Sequence, residues 1–165
     1  MAANPALWAD VLRDIDAATA LADRAARRAK ALSTHGEELE VDAREDSEWA
    51  IGVMLHHCYV ALENALERLI KVADGSAPTS AQYHADLVER AARPVRDVRV
   101  AMITAHTASL MHKLRGFRHA FRYASVAYDY DLAAENVPFA EELVPRFRSE
   151  IMEFALRIGL IDKQT

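Results

Sequence analysis

In the stretch LRGFRHAFRYASVAYDYDL, which opens at Leu114 and closes at Leu132, Arg115, Arg118, His119 and Arg122 stand close together and no acid follows until Asp129. At about 100° per residue in a helix, Arg115, His119 and Arg122 share one face, with Arg118 at its flank. Like charges stacked at that spacing repel by a few tenths of a kcal/mol per pair, roughly, unless an anion lies between them. Phosphate is the anion that fits. Guanidinium forks match its oxygens, and an imidazole beside them moves a proton near neutral pH. RNA adds a 2′-hydroxyl that attacks its own phosphate once deprotonated. Arg115, Arg118 and His119 are therefore candidate catalytic residues, and Arg122 and Lys113 candidate RNA phosphate contacts. The bland alternative is a solvated helix face, the usual fate of scattered charges. The distribution of charge favours the anion site. Residues 98–128 hold no Asp or Glu, yet contain Arg99, Lys113, Arg115, Arg118 and Arg122, on a chain whose formal net charge is -5.

The elements that must carry these residues are helices. Residues 5–32 read as a first helix, with Pro5 at an early position and Ala, Leu and Arg beyond it. Residues 33–46 read as a connection. Ile51, Leu55, Cys58, Leu62, Ala65, Leu69 and Val72 then recur at steps of three and four, tracing one apolar stripe that stops at Asp74 and Gly75. Thr79 or Ser80 suits the N-cap of a shorter helix running to about Ala92. That helix ends at Arg93, because Pro94 pushes its predecessor out of the helical region. Residues 98–125 read as a second long helix, and Val137 with Pro138 as the next break. Phe139, Leu143, Phe147, Ile151, Phe154 and Ile158 give a last helix closing at Gly159, with Pro145 a kink or a late start. No repeat and no alternating strand pattern interrupts this reading.

The expected fold is all-α, an antiparallel helical bundle in a single domain, which 165 residues fill comfortably. The lone Cys58 cannot form an internal disulfide and reads as a buried, inert thiol. The first residues, MAANPALWADVLRDID, carry acids where a signal peptide needs a basic start, and no window approaches the roughly 18 apolar residues of a membrane span. A cytoplasmic location without membrane association is the expectation. No cofactor and no metal is expected. Glu63 and Glu67 lie one turn apart, but no Glu-x-x-His accompanies them, and the adjacent His56 and His57 point about 100° apart. Only a meeting of His57, His112 and His119 between helices would provide ligands.

LRGFRHAFRYA resembles the signature helix of HEPN-domain proteins, in particular the HepT-like branch, whose hallmark is an Arg followed four to six residues later by His. Tyr59, Glu63, Asn64, Leu66, Glu67 and Arg68 are similar to that branch's first core helix, and Tyr83, His84, Asp86 and Leu87 to its middle helix. On this resemblance residues 46–159 form a four-helix core, and residues 1–45 an N-terminal helix and connection added to it. The resemblance implies a homodimer whose signature helices face each other across a cleft, and a metal-independent endoribonuclease. In that scheme Arg stabilises charge on the scissile phosphate while His acts as general base or acid. It also implies a toxin, with a nucleotidyltransferase-fold antitoxin as partner that silences it by attaching AMP to a signature tyrosine.

Aligned on FRHAFRY, Arg118 takes the signature Arg position, Tyr123 stands where the catalytic His belongs, and Ser125 where the tyrosine belongs. A phenol holds its proton at pH 7 and makes a poor base. Either Arg115 and His119 serve as a shortened pair, or an inserted near-turn makes Tyr128 the signature tyrosine. Two further functions stand beside the nuclease: a catalytically degenerate RNA- or nucleotide-binding module, and a helical bundle whose cationic helix docks an acidic protein.

Overall fold

The computed structural model describes residues 4–123 and 129–162. Five α-helices form it: α1 (Pro5–His35), α2 (Val41–Asp74), α3 (Tyr83–Ala92), α4 (Ala105–Tyr123) and α5 (Tyr130–Arg157). No strand occurs among the described residues, and the fold is the all-α bundle that the apolar periodicity predicts. No helix among them is long and apolar enough to cross a membrane.

The long α2 is the axis of the bundle, packed on α1, α3, α4 and α5. Its stripe is buried as the spacing requires: Ile51, Leu55, Cys58, Leu62, Ala65 and Leu69 are all removed from water. The helix stops at Gly75, whose φ of 84° is open to glycine and costly for other residues. The first helix starts where Asn4 accepts the amide of Leu7 at 3.1 Å, with Pro5 in the first turn. Its buried face, Trp8, Val11, Ile15, Ala18, Ala22 and Ala25, is continuous with the core of the other helices. Through this face α1 packs on both α2 and α5. The two helices run antiparallel, because Arg68 late in α2 pairs with Asp14 early in α1 at 2.8 Å, while Arg28 meets Ser47 at 3.4 Å.

Four element boundaries differ from the sequence reading. The α1–α2 connection is only a 3-10 turn (Gly36–Glu38) and its neighbours, because α2 already begins at Val41. Residues 41–46 are exposed on every side and therefore show no periodicity, although they are helical. The third helix begins at Tyr83 rather than next to Ser80, whose hydroxyl instead accepts the amide of Gln82 at 3.0 Å in a preceding turn. The signature helix begins at Ala105, not at 98. The segment before it is folded back by a bridge between Val95 and Arg99 and by Met102 N–H donating to the Ala91 carbonyl at 2.8 Å.

The last helix is one continuous element with both Pro138 and Pro145 inside it, so the expected break at Val137 and Pro138 does not exist. Each proline removes a hydrogen bond and is disfavoured by roughly 3 kcal/mol in a helix interior. Being seven residues apart, they share the solvent face, and both rings are exposed. The opposite face buries Val137, Ala140, Val144, Phe147, Ile151 and Phe154 and holds the helix together across them. It closes as expected at Gly159, with Leu160 N–H donating to the Ala155 carbonyl at 2.9 Å and Gly159 N–H to Leu156 at 3.2 Å.

Candidate functional site

The fourth helix is fixed at its start by a neighbour. Thr104 accepts the Thr107 amide at 3.3 Å as N-cap, and Glu150 of α5 accepts from the Thr104 amide at 2.8 Å and from the Thr107 hydroxyl at 2.8 Å. From there the helix runs antiparallel to α2: Phe121 meets Trp49 and His56 with ring centroids 5.0 and 5.8 Å away, while Arg118 lies nearer Tyr59. Met111, Leu114 and Phe117 form its buried stripe and set which face turns inward.

The arginines therefore do not act alike. Arg115 and Arg118 lean towards α2, each with its Nε buried and without a hydrogen-bond partner among the described residues. The Arg118 guanidinium carbon stands 5.8 Å from the centroid of the Tyr59 ring. A donor buried without an acceptor costs about 1–3 kcal/mol, and α4 carries two such donors three residues apart. Arg122 is exposed in the last turn, where a cation also suits the helix dipole. The rings of His119 and Tyr123 meet at a tilt, centroids 4.9 Å apart, on the outer side, and Tyr123 is 70% exposed. Lys113 is turned away from this group, its ammonium 3.8 Å over the Phe139 ring of α5. Tyr128 lies outside the described residues.

Arg99 does not belong to the cationic helix. Its side chain is 1% exposed and spends its donors on Asp74, at 2.6 and 3.0 Å, and on the carbonyls of Arg90, Arg93 and Val100. It is a structural clamp between the end of α2 and the loop before α4.

Beneath Arg118 lies a polar chain that the spacing on α4 does not announce. Tyr59 is fully buried and donates its hydroxyl to Glu63 at 3.1 Å, and the same carboxylate oxygen meets His84 Nδ1 of α3 at 2.6 Å. Burial first, then the Glu63 charge, push the Tyr59 phenol above its ordinary range, while the charges of Arg115 and Arg118 pull it back. Next along α3, burial and a hydrogen bond to Glu67 raise the Tyr83 phenol. The sequence signal was a carboxylate, Glu63, set inside an apolar stripe between Leu62 and Ala65. His56 is a second inward imidazole. Burial lowers its pKa first, and His57, Arg118 and Arg122 add to the effect.

No group of three His, Cys, Asp or Glu side chains fit to hold a metal forms among the described residues. His112 is bound to Glu89 at 3.0 Å and His119 rests on Tyr123, so neither meets His57. A groove of about 440 Å³ lined by Ala92, Met102, Thr104, Glu150 and Phe154 lies at the far end of α4 from Arg118.

The model of the family described as HepT-like protein matches residues 50–158, more than half of the chain. The match takes in α3, α4, α5 and all but the start of α2, and so the whole cluster around Tyr59, Glu63, His84, Arg115 and Arg118. The chain belongs to the HepT-like family, a branch of the HEPN superfamily. No curated protein and no solved structure matches it. In this HepT-like chain α1 lies outside the family match, yet it shares one hydrophobic core with the matched helices.

Proposed function

We propose that this HepT-like protein is a metal-independent endoribonuclease of the HEPN type and the toxin of a toxin–antitoxin pair. Arg115 and Arg118 hold the scissile phosphate and stabilise the charge that grows on it, and Arg122 guides the neighbouring backbone. His119 and Tyr123 stand on the outer side of α4, where a second copy of the helix in a homodimer would bring its own arginines. RNA is the substrate. A nucleotidyltransferase-fold antitoxin is the partner, with Tyr128 the residue that receives AMP, and the cytoplasm is the compartment.

One observation carries this reading. Two arginines on successive turns of the family's signature helix present buried Nε donors without acceptors. A phosphodiester is the acceptor this proposal brings to the two half-buried side chains. Purified protein incubated with RNA in excess EDTA should yield fragments ending in a 2′,3′-cyclic phosphate. Arg118→Ala should lower the rate by about 10²–10³-fold, the effect of removing one preorganised oxyanion donor. Wild-type protein that leaves RNA intact and does not arrest growth when expressed alone would sink the proposal.

A second reading rests on Tyr123, a phenol where the signature imidazole belongs. In it the protein binds RNA without cutting it. Binding then weakens with salt while no cyclic phosphate forms, and Tyr123→His introduces cleavage.

A further inference from the structure

The nuclease reading leaves the proton-transfer group open, and the packing of α3 against α2 supplies one from outside the signature helix. Glu63 is buried on the core side of α2, its side chain 7% exposed. A carboxylate removed from water in this way needs donors, and it has two: the Tyr59 hydroxyl at 3.1 Å and His84 Nδ1 at 2.6 Å. A carboxylate only accepts, so the His84 proton sits on Nδ1 and the lone pair on Nε2. The His84 side chain is 39% exposed, so the ring borders solvent while its Nδ1 is held by Glu63. Tyr83 lies edge-on to the ring at 5.3 Å and anchors its own hydroxyl on Glu67, fixing the turn that carries His84. An imidazole oriented by a buried carboxylate at one nitrogen is the arrangement that accepts a proton at the other in hydrolytic sites.

The same Tyr59 is where the cations converge. Arg118 stands 5.8 Å from its ring centroid, and the charges of both Arg115 and Arg118 reach its hydroxyl. Tyr59 thus stands between the two groups: its hydroxyl is hydrogen-bonded to the carboxylate that holds the imidazole of α3, and its ring lies beside the Arg118 guanidinium of α4. We propose that His84, oriented by Glu63, is the imidazole that serves a phosphate held by Arg115 and Arg118. This inference rests on the phosphate-binding reading of those arginines.

The step balances. His84 Nε2 takes the proton of the ribose 2′-hydroxyl, and the 2′-oxygen electron pair forms a bond to phosphorus. The bond from phosphorus to the 5′-oxygen breaks, its pair leaves on that oxygen, and water supplies the proton that the oxygen takes up. The protonated imidazole remains paired with the Glu63 carboxylate until it returns its proton to solvent. Glu63 is a positioning residue. Its removal should act through the ring.

The test uses the full-length protein, a defined RNA oligonucleotide in EDTA, and side-chain ¹⁵N spectroscopy of the histidines. His84→Gln should lower kcat by about 10²-fold or more, the size of a lost general base, and leave KM within about threefold. Glu63→Gln should shift the His84 ring away from its Nδ1–H tautomer and reduce kcat while KM holds. Cleavage by His84→Gln at the wild-type rate overturns the proposal. A ring titration with inorganic phosphate decides it without any cleavage. The His84 Nε2 resonance should move saturably in the wild type and stay fixed in Arg115→Ala/Arg118→Ala. Movement without RNA cleavage keeps the phosphate–imidazole site and discards the nuclease, whereas an unmoved resonance discards the site even in an active nuclease.

Discussion

Burial pushes the Cys58 thiol up to about 12, because no cation compensates the thiolate inside the α2 stripe. A thiol reagent at pH 8 should therefore label the folded protein far more slowly than the protein in 6 M guanidinium, as followed by absorbance of the released chromophore. Fast native labelling would contradict the packing. His56 gives a pH prediction of the opposite kind. Its pKa is lowered in the fold by burial, by His57 and by Arg118 and Arg122. Below the unfolded value of about 6.5 the unfolded chain takes up a proton that the native chain resists, so the contribution of His56 to stability falls as pH falls through that region. Removing cations reverses part of the shift: Arg118→Ala or Arg122→Ala should raise the His56 pKa in a proton NMR titration. A lower or unchanged value would mean that the arginines point elsewhere.

Between elements, the strongest specific tie is Asp74 at the end of α2, held by Arg99 and by Arg90 of α3 at 2.7 Å. Breaking a buried pair strands one charge and costs about 3–5 kcal/mol. Asp74→Asn or Arg99→Met should lower the unfolding free energy by that order, read as a lower urea midpoint at unchanged slope, without altering helix content before the transition. Despite its burial, the hydrogen bonds from Arg99 and Arg90 hold the Asp74 carboxyl below its usual range. The stability it contributes is thus present above the unfolded carboxylate value of about 3.9 and lost as pH falls through the lower folded value. Acid unfolding should weaken the junction of α2, α3 and the loop before α4 in hydrogen exchange. The prolines of α5 make a contrary case. They sit on its solvent face at a cost, so Pro138→Ala should stabilise the protein by about 1–3 kcal/mol, read as a higher urea midpoint.

Across the whole molecule, charge is segregated. Arg115, Arg118 and Arg122 gather on one side of α4, and the chain as a whole carries a formal net charge of -5. Under the proposed function, α4 is the face on which RNA docks. The logarithm of RNA affinity should fall linearly with the logarithm of salt concentration. Each of the three arginines removed should shallow the slope by about 0.7, the value for a phosphate contact on a single strand. Equal slopes in the variants would place the RNA elsewhere. The addition of α1 does not create a separate unit, because its Trp8, Val11 and Ile15 belong to the common core. Its truncation should expose that core and unfold the family-matched helices with it.

Local pattern alone determined the helical class, the stripe of α2, its stop at Gly75, the closure at Gly159 and the cationic character of the signature helix. These depend on residues three to five positions apart, and a helix registers such spacing directly. The segment that carries Arg99 read as helix because nothing near it in sequence reveals the distant Asp74. The two prolines of α5 read as breaks because their cost is local, whereas the core that outweighs it comes from other helices. The same distinction divides the site. The spacing of Arg115, Arg118 and His119 was legible on one helix, but their inward or outward turn was not, and neither was the chain from Tyr59 through Glu63 to His84. Only the packing of α3 on α2 brings Glu63 and His84 within hydrogen-bond range, and only that of α4 on α2 sets Arg118 beside Tyr59, since such alignment is a property of three helices and not of any one.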